Sequence, residues 1–437
     1  MKKINIEDLN KHFDENVEVQ GFVDNIRNLQ YVQFVILRDS TGKVQMTIEK
    51  NEGNAALVEI VDRLTLESTV KVSGKLLESP KVKLNGMELI PSSIEVTSKS
   101  LAELPIDIKN KDNTLRETRL DYRFLDLRRE DNSLLFKCET LFEHALREYC
   151  INNDFFEIHS PKIAAGAAES GAEVFKIDYF GQEACLSQSP QFYKQMAMAS
   201  GFDKVFEIGP AFRAENSHTS YHATEINMAD IEMSFIDSYE DIMDFEEKWI
   251  KYALDKVKEK YGEDIQKLFG ITLSDTSVKI PRITFAEGKR ILKEKFNYVG
   301  EREDDLERKE ENLLCEYAKK EYNSDFIFIT KFPFSARPFY HMLDENGLTN
   351  SYDLLFKGIE ITTGAQREHR VEILEKQMIE KGVNPEGLSF YLDFFKYGMP
   401  PHGGFAIGIA RVLMQIFEID NIREATFIYR GPTRLNP

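Results

Sequence analysis

The sequence lacks any long apolar segment. Nowhere in its 437 residues is there a run of about 18 consecutive apolar residues, the minimum for a membrane-spanning helix. The first residues, MKKINIEDLNKHFDE, contain no apolar stretch of the kind found in signal peptides. Cysteine is scarce, and Cys138, Cys150, Cys185 and Cys315 match no zinc-binding spacing. These absences predict a cytoplasmic protein outside the membrane, with reduced thiols that bind no metal.

Basic residues are outnumbered as well. The formal net charge is −18, from 56 Lys and Arg against 74 Asp and Glu, which argues against sequence-independent binding of nucleic acid to a large basic surface. Net charge does not describe local patches, so a specific nucleic-acid ligand remains compatible. One basic cluster, RETRLDYRFLDLRRE, contains Arg116, Arg119, Arg123, Arg128 and Arg129. It predicts either a basic patch or a solvated helix whose arginines pair with Glu117, Asp121, Asp126 and Glu130.

Residues 1–103 alternate short β-like segments with turns. The segments are VEVQGFV, VQFVILRDSTGKVQMTI, STVKVSGKLLES and MELIPSSIEVTS, with glycines at or near the bends. Short, closely spaced strands predict a small all-β barrel, and an OB-fold is the natural candidate. Such barrels bind single-stranded nucleic acid by stacking bases on exposed aromatic rings. Phe34 is the candidate for this stacking, with a position in the barrel core as the alternative.

The rest of the chain is predicted to be a linker at 104–130 and a larger α+β domain at 131–437. Apolar residues at spacings of three and four from Asn132 onward predict a helix, which is followed by the strand-like segment FFEIHSPKI. The segment at about 237–322 is rich in Glu and Lys. We predict that it is a helical insertion packed on the sheet of this domain, with Trp249 in the core.

The stretch Val205–Phe235, VFEIGPAFRAENSHTSYHATEINMADIEMSF, predicts two strands joined by a long loop. Arg213 and Glu215 follow the first strand. A guanidinium that can bind phosphate through two donors, next to a carboxylate that can accept from a purine or a ribose, suits a nucleotide site. A surface ion pair on a hairpin is the alternative.

This stretch, together with SYDLLFKGIEITTGAQR at 351–367 and HGGFAIGIARVLM at 402–414, resembles the ordered signatures of class II aminoacyl-tRNA synthetases. The residues of these motifs are similar to those of aspartyl-tRNA synthetases, subclass IIb, of the archaeal and eukaryotic-like type. The resemblance covers essentially the whole chain. It implies an anticodon-binding OB-fold, a catalytic domain with an antiparallel sheet flanked by helices, and a homodimer whose interface includes the helix and strand before Pro161.

The resemblance also implies site residues. The amino acid would be bound by Glu169, Gln191, Lys194, Asp230 and Arg367, with Lys194 and Arg367 holding the side-chain carboxylate. ATP would be bound by Arg213, Glu215, Tyr221, His222, Glu360, Gly408 and Arg411, of which Arg213 and Arg411 are the catalytic residues. The anticodon would be bound by Phe34, Gln45 and Glu95, whose side chains have the aromatic face and the hydrogen-bonding groups that base recognition needs.

A metal site is predicted from the geometry of the second motif. If Lys357 and Gly358 form a two-residue hairpin turn, Asp353 lies opposite Thr362 and is a diagonal neighbour of Glu360 on one face. Two carboxylates with no nearby base repel each other unless a cation lies between them, and oxygen ligands favour Mg²⁺. The prediction is that Asp353 and Glu360, with Thr363 as a weaker candidate, hold Mg²⁺ on bound ATP.

The function implied is ATP-dependent ligation of L-aspartate to tRNA(Asp) through an aspartyl-adenylate, with tRNA(Asn) as a second candidate acceptor. Three positions depart from the family pattern: Tyr221 stands where an arginine usually precedes His222, Ala410 replaces an acidic residue, and Ala406 replaces a glycine. A lost phosphate contact costs on the order of 2 to 4 kcal/mol, so activation slower than in a Tyr221→Arg variant is expected. The alternatives are a diverged paralogue that passes activated aspartate to another acceptor, such as ammonia, and a non-catalytic tRNA-binding module.

Overall fold

The computed structural model describes residues 3–165, 174–217 and 219–437. It divides into two compact units, Met1–Arg116 and Glu117–Pro437, at a point inside the segment predicted to be the linker. Glu169, predicted to contact the amino acid, lies outside the described residues. No helix within the described ranges combines the length and the apolar character of a membrane span.

The first unit is a closed five-stranded barrel with strand order β1-β2-β3-β5-β4. Its elements are β1 (Asn16–Asn28), β2 (Val32–Arg38), β3 (Lys43–Glu49), α1 (Ala55–Asp62), β4 (Thr69–Glu78) and β5 (Met87–Ser98). Strand β3 pairs with β5 in parallel, and the other pairs are antiparallel. The barrel expected from the sequence is therefore present.

The side chains of β2 and β3 alternate between the barrel interior and its outer face. Val35, Leu37 and Met46 are fully buried in the core. Phe34 and Gln45 have the opposite parity and lie on the outer face. A core position for Phe34, the alternative left open by the sequence, is therefore wrong.

The second unit contains an eight-stranded sheet of order β12-β13-β14-β15-β16-β11-β10-β6 and a three-stranded sheet of order β7-β9-β8. The strands are β6 (Phe156–Glu157), β7 (Ile163–Ala165), β8 (Lys176–Tyr179), β9 (Gln182–Leu186), β10 (Lys204–Phe212), β11 (Glu225–Ser234), β12 (Arg282–Thr284), β13 (Phe326–Thr330), β14 (Ser351–Phe356), β15 (Ile359–Gln366) and β16 (His402–Gly408). The large sheet is antiparallel except for the pairs β6–β10 and β12–β13.

Ten helices of this unit are described. They are α2 (Arg116–Asp121), α3 (Arg123–Asp126), α4 (Glu130–Asn152), α5 (Gln191–Ala199), α6 (Tyr239–Phe269), α7 (Phe285–Phe296), α8 (Arg308–Tyr322), α9 (Val371–Glu380), α10 (Ser389–Lys396) and α11 (Ile409–Ile416). Helices α4 and α6 lie against each other, and α6 packs on β15 and β16. Trp249 of α6 is fully buried, donates to the Leu146 carbonyl at 3.0 Å, and stacks edge-on against Phe405.

The segment predicted to be a helical insertion is not wholly helical. Strand β12 lies inside it and extends the large sheet by parallel pairing with β13. Three residues are too few to show an alternating pattern, which is why this strand was not predicted from the sequence. The prediction that the segment packs on the sheet, with Trp249 in the core, is confirmed.

The arginine cluster at 116–129 does not form the basic patch, because three of its five arginines are buried, but the expected pairing with Asp126 is present for Arg119 and Arg123. Arg119, Arg123 and Arg129 are buried. Arg123 donates to Asp126 at 2.5 Å and to the Thr426 carbonyl at 2.8 Å, and Arg119 donates to Glu424 at 2.5 Å. Arg119 and Arg123 hold the C-terminal segment against α2 and α3, and Arg129 pairs with Asp131, so these charges are paired inside the protein.

Candidate amino-acid and nucleotide site

Apart from Glu169, which is not among the described residues, the residues predicted for the amino acid and for ATP converge on one cavity of about 540 Å³. Its lining includes Gln191, Lys194, Arg213, Glu215, Tyr221, His222, Asp230, Glu360, Thr363, Arg367, Gly408 and Arg411. The floor is the face of the large sheet opposite the α4–α6 core. Along β11, Ala229 and Ile231 point into that core. Asp230 and Glu232 alternate with them along the strand and therefore point to the cavity side.

Lys194 lies on α5, where sequence reasoning alone expects a solvated side chain. It is instead almost completely buried. Its ammonium donates to Asp230 at 3.1 Å and to the Ile231 and Phe405 carbonyls at 3.3 Å, and it lies 3.3 Å from Glu232. The lysine therefore reaches the floor of the cavity and pairs with two carboxylates of β11.

Arg367, which follows the last residue of β15, approaches the Glu232 carboxylate. Its Nε donates to Glu232 at 3.0 Å, and its Nη2 donates to the Gly404 carbonyl at 3.0 Å. A Cβ on Gly404 would lie 2.3 Å from Glu232 Oε2, so only glycine leaves room for this contact. Lys194 and Arg367, far apart in the sequence, thus meet at Glu232.

Burial and charge act in opposite directions on these carboxylates. Burial disfavours the charged form of Glu232, but Arg367 and Lys194 together hold its pKa below the usual value. Burial raises the pKa of Asp230, and Lys194 only partly offsets the rise. Glu232 is therefore the firmly ionised partner of the two cations.

The polar residues behind α5 fix its orientation. Gln195 accepts from the Tyr391 hydroxyl at 2.9 Å and from Gln191 at 3.0 Å, and its amide nitrogen lies 2.9 Å from His402 Nε2. Burial lowers the pKa of His402 to about 4, so the ring is neutral and accepts from Gln195 while Nδ1 donates to the Pro400 carbonyl. The side chain of Gln191 is therefore positioned by a buried network.

The predicted metal ligands are close together, but in a different register from the one expected. The two-residue turn at Lys357 and Gly358 is confirmed, with positive φ at both residues. A bulge at Ile361 then shifts the pairing, so that Asp353 lies opposite Thr363 and not Thr362. The Thr363 hydroxyl lies 2.9 Å from Asp353 and 3.0 Å from Glu360.

The expectation that these carboxylates have no nearby base is wrong. Arg337, from the loop after β13, donates to Asp353 at 2.6 Å. Burial raises the pKa of Asp353 to about 7, Arg337 opposes the rise, and Glu360 adds to it. Within the described ranges, no group of three or more His, Cys, Asp or Glu side chains could hold a metal. Two carboxylates and a hydroxyl still fit Mg²⁺, which keeps waters and phosphate oxygens as its other ligands.

The nucleotide side of the cavity is formed by the ends of β10 and β16. Arg213 follows β10, where its backbone N–H donates to the Thr224 carbonyl and closes the neck of the loop. Arg411, on the first turn of α11, donates to the Glu360 carbonyl at 2.9 Å. Burial and the Arg411 charge lower the pKa of His222, so its ring is neutral near pH 7.

The three departures from the family pattern all lie on this cavity. Ala406 and Ala410 are on its lining, and so is Tyr221. The guanidinium of Arg308, at the start of α8, lies 4.4 Å from the centre of the Tyr221 ring. A cation from the inserted segment therefore stands beside the position where the expected arginine is missing.

Among the residues of the site that sequence reasoning missed are Glu232, Arg337 and His341. Glu232 lies two residues after Asp230 on the same strand, so the parity of β11 could have identified it. Arg337 and His341 come from the irregular loop between β13 and β14, in the segment ARPFYHM. No periodicity predicts the position of a side chain in such a loop.

The predicted anticodon residues lie in the first unit. Phe34 pairs with Thr47 across β2 and β3, and Gln45 donates to the Thr47 hydroxyl at 3.3 Å. The Glu95 side chain on β5 is exposed, and its carboxylate lies 3.3 Å from the Lys71 ammonium. All three are on the outside of the barrel, and Phe34 and Gln45 are on adjacent strands.

Comparison with known proteins gives matches to both units. A family described as tRNA synthetases class II (D, K and N) matches residues 115–429, and the OB-fold nucleic acid binding domain matches residues 17–97. An aspartate–tRNA(Asp/Asn) ligase of Aeropyrum pernix is 41% identical, over 96% of this chain and 95% of its own. An aspartate–tRNA(Asp) ligase of Pyrococcus abyssi is 40% identical, over 97% and 96%.

Solved structures with the same architecture are also known. Asparaginyl-tRNA synthetase from Pyrococcus horikoshii, complexed with asparaginyl-adenylate, has a TM-score of 0.93 and 31% identity over 100% of both chains. Aspartyl-tRNA synthetase from Entamoeba histolytica has a TM-score of 0.88 and 32% identity, over 100% of this chain and 93% of its own. The fold class and family predicted from the motifs are confirmed: this chain belongs to the class II tRNA synthetases of the D, K and N group, with an N-terminal OB-fold domain.

Proposed function

We propose that this protein ligates L-aspartate to tRNA(Asp) through an aspartyl-adenylate formed from ATP, with tRNA(Asn) as a second candidate acceptor. The observation that carries the proposal is the meeting of Lys194 and Arg367 at the floor of a cavity whose other side holds Arg213 and Arg411. Two buried cations suit a ligand with a carboxylate side chain. The arginines suit its partner, a triphosphate.

The pair of cations also explains selection between aspartate and asparagine. A carboxylate side chain would be paired with Lys194 and Arg367, whereas a neutral amide would bring its NH₂ group against groups that can only donate. Leaving such donors unpaired in a buried site is strongly unfavourable. Asp230, close to Lys194, would accept from the substrate ammonium, with Glu169 closing over the amino acid and Gln191 beside it.

The chemistry needs charge neutralisation and positioning more than proton transfer. The α-carboxylate of the amino acid is already ionised, so it can attack the α-phosphorus of ATP in line without a general base. Arg213 would neutralise the α-phosphate, and Glu215 would accept from the adenine. Arg411, with His222 and Gly408 nearby, would bind the outer phosphates.

Mg²⁺ would be held by Asp353 and Glu360, with Thr363 as the weaker ligand. When bound, it would neutralise charge on the outer phosphates of ATP. Arg337 keeps Asp353 in place, since its guanidinium is buried, stacks 3.8 Å from the centre of the Phe332 ring, and donates to that carboxylate. The aspartyl group would then pass to the terminal adenosine hydroxyl of tRNA, whose anticodon would be bound by Phe34, Gln45 and Glu95.

The direct test is activation and charging with purified components. We expect ATP–pyrophosphate exchange to depend on L-aspartate and not on L-asparagine, and labelled aspartate to be transferred to tRNA(Asp) transcript. Parallel charging of tRNA(Asn) decides whether it is a second acceptor. Exchange without charging of either tRNA, together with asparagine formation from ammonia, would establish the paralogue instead. A protein that binds tRNA but shows no exchange would be the non-catalytic module.

The metal assignment has its own test. We expect Glu360→Ala to weaken ATP binding at saturating Mg²⁺ and to flatten its dependence on Mg²⁺ concentration, because one of two carboxylates is lost. Isothermal titration of ATP at several Mg²⁺ concentrations measures this. The control is Glu372→Ala, an exposed carboxylate on α9. A Glu360→Ala protein with the wild-type Mg²⁺ dependence would rule out the assignment.

The homodimer and the cytoplasmic location implied by the resemblance belong to the same proposal.

A further inference from the structure

His341 lies on the cavity lining with only 2% of its surface exposed. Its Nε2 is 3.1 Å from Arg367 Nη1. A guanidinium can only donate, so Nε2 must accept. Burial and the positive charges of Arg367 and Arg337 lower the pKa of His341 well below its usual value, so the ring is neutral. The single proton of a neutral ring whose Nε2 accepts must be on Nδ1.

This Nδ1–H donor has no partner among the described residues. A buried donor without an acceptor is rare and unfavourable in a folded protein. The ring cannot easily turn away to find one. The His341 backbone is bridged to Arg367, its carbonyl accepts from Gln377 at 2.8 Å, and Nε2 is held by the arginine. The donor is therefore a buried, fixed group on a residue that lines the ligand cavity.

The cations of the site already have partners. Each nitrogen of the Arg367 guanidinium contacts Glu232, His341 or Gly404. Lys194 is shared between Asp230 and Glu232. The described side chains therefore bring two positive and two negative groups together, and a further carboxylate entering the cluster needs a donor that is not yet used.

We propose that Nδ1–H of His341 donates to the side-chain carboxylate of the bound amino acid, so that His341 contacts the substrate and contributes to selection against the amide. The proposal rests on the proposed function. One carboxylate oxygen faces Lys194 and Arg367, and the other accepts from His341. An asparagine amide in the same place turns its NH₂ group toward one of these donors in either orientation, because His341 donates on one side and Lys194 and Arg367 donate on the other.

Two substitutions separate the two ring nitrogens. In His341→Gln the longer side chain places its amide near the position of Nε2, so it can accept from Arg367, but no donor remains at the position of Nδ1. In His341→Asn the shorter side chain places its amide at the position of Nδ1. This amide can donate to aspartate, or turn its oxygen toward the NH₂ group of asparagine.

Kinetics of aspartate-dependent ATP–pyrophosphate exchange give the first readout. We expect His341→Gln to raise the KM for aspartate about tenfold or more with the KM for ATP unchanged, and His341→Asn to keep the KM for aspartate close to that of the wild type and to admit asparagine more readily. An unchanged KM for aspartate in His341→Gln overturns the assignment. An equal rise in both KM values also overturns it, because that result indicates a structural role only.

A spectroscopic readout tests the hydrogen bond itself. The whole protein labelled with ¹⁵N-histidine should show a protonated Nδ1 for the signal that disappears in His341→Gln, and aspartate without ATP should move this proton downfield. A signal that does not respond to aspartate means that Nδ1 is satisfied by water or by the protein, and overturns the proposal. A wild type that neither binds nor activates aspartate overturns both this inference and the proposed function, whereas normal activation with no change in His341→Gln overturns this inference alone.

Discussion

At the scale of single residues, the most informative departure from the family is Tyr221. Its ring packs against the core of the second unit and stacks on Arg308. Arg308 also donates to Glu311 at 2.9 Å and to the Gly358 carbonyl, and the backbone N–H of Glu360 donates to Glu311. One arginine thus connects the loop after β10 to the hairpin that carries the predicted metal ligands.

We expect Arg308→Ala to raise the KM for ATP about fivefold and to leave the KM for aspartate unchanged. The reason is that a cation–π contact contributes about 1 kcal/mol and this one anchors the loop on the nucleotide side. Exchange kinetics at varied ATP concentration measure the effect. Tyr221→Phe is the matched control, because it keeps the ring and should behave as the wild type.

The stack also changes what we expect of Tyr221→Arg. A second guanidinium in that position would face Arg308 across a few ångströms, and two like charges repel each other. We therefore expect Tyr221→Arg to accelerate exchange only in the Arg308→Ala background, where it restores a single cation. Acceleration of similar size in both backgrounds would show that Arg308 does not act on the nucleotide side.

At the scale of secondary-structure elements, α6 contacts the sheet through a buried polar pair. Glu246 on α6 is completely buried and accepts from the Tyr352 hydroxyl of β14 at 2.7 Å, while its Oε1 has no partner among the described residues. Burial raises the pKa of Glu246 to about 8, and the Tyr352 hydrogen bond only partly opposes the rise. The carboxyl is therefore neutral at pH 7 in the folded protein and ionised in the unfolded chain.

The sign of the pH effect follows from this difference. Because the folded pKa is raised, the stabilisation is fully present below the unfolded pKa of about 4.5 and is lost as the pH rises through about 8. We expect the free energy of unfolding of the wild type to fall, relative to that of Glu246→Gln, by up to about 1.4 kcal/mol per pH unit between pH 5 and 8. Trp249, the only tryptophan of the sequence, reports unfolding of the second unit by its fluorescence. Glu259→Gln, at an exposed position on α6, is the control. If the free energy of unfolding changed with pH equally in the wild type and in Glu246→Gln, the prediction would be contradicted.

The β14–β15 hairpin shows where prediction of elements from sequence ends. The turn was predictable, because a glycine in a two-residue turn permits the positive φ that suits a right-handed strand twist. Gly358 does adopt a positive φ, of 86°. The bulge at Ile361 was not, because it depends on packing against the core, where Ile361 is buried with Ile359. Lys194 is a similar case: its position on a helix was predictable, but its burial depends on β11 and β16, which are distant in sequence.

At the scale of the whole molecule, the two units were predicted in different ways. Alternation of apolar residues predicted the barrel of the first unit, whereas the large sheet of the second was implied by the resemblance of its ordered motifs to class II tRNA synthetases. Charge was a poorer guide, since the arginines at 119, 123 and 129 are used internally. A residue count cannot separate structural arginines from those that bind RNA.

The position of Phe34 leads to a prediction that involves both units. Its ring lies on the outer face of β2, next to Gln45 on β3, and stacking of one base on such a ring contributes about 1 to 3 kcal/mol. We expect Phe34→Ala to lower kcat/KM for charging of tRNA(Asp) by a factor of about 5 to 150 and to leave aspartate-dependent pyrophosphate exchange unchanged, because that reaction needs only the cavity of the second unit.

Charging and exchange measured on the same protein preparation separate the two effects. Ile90→Ala, a partly exposed apolar residue on β5 of the same barrel, controls for general damage to the first unit and should charge tRNA as the wild type does. A fall in exchange equal to the fall in charging would mean that Phe34 acts through the fold of the protein. Unchanged charging would mean that the outer face of β2 and β3 does not bind the anticodon, because a lost stacking contact must appear in kcat/KM for tRNA.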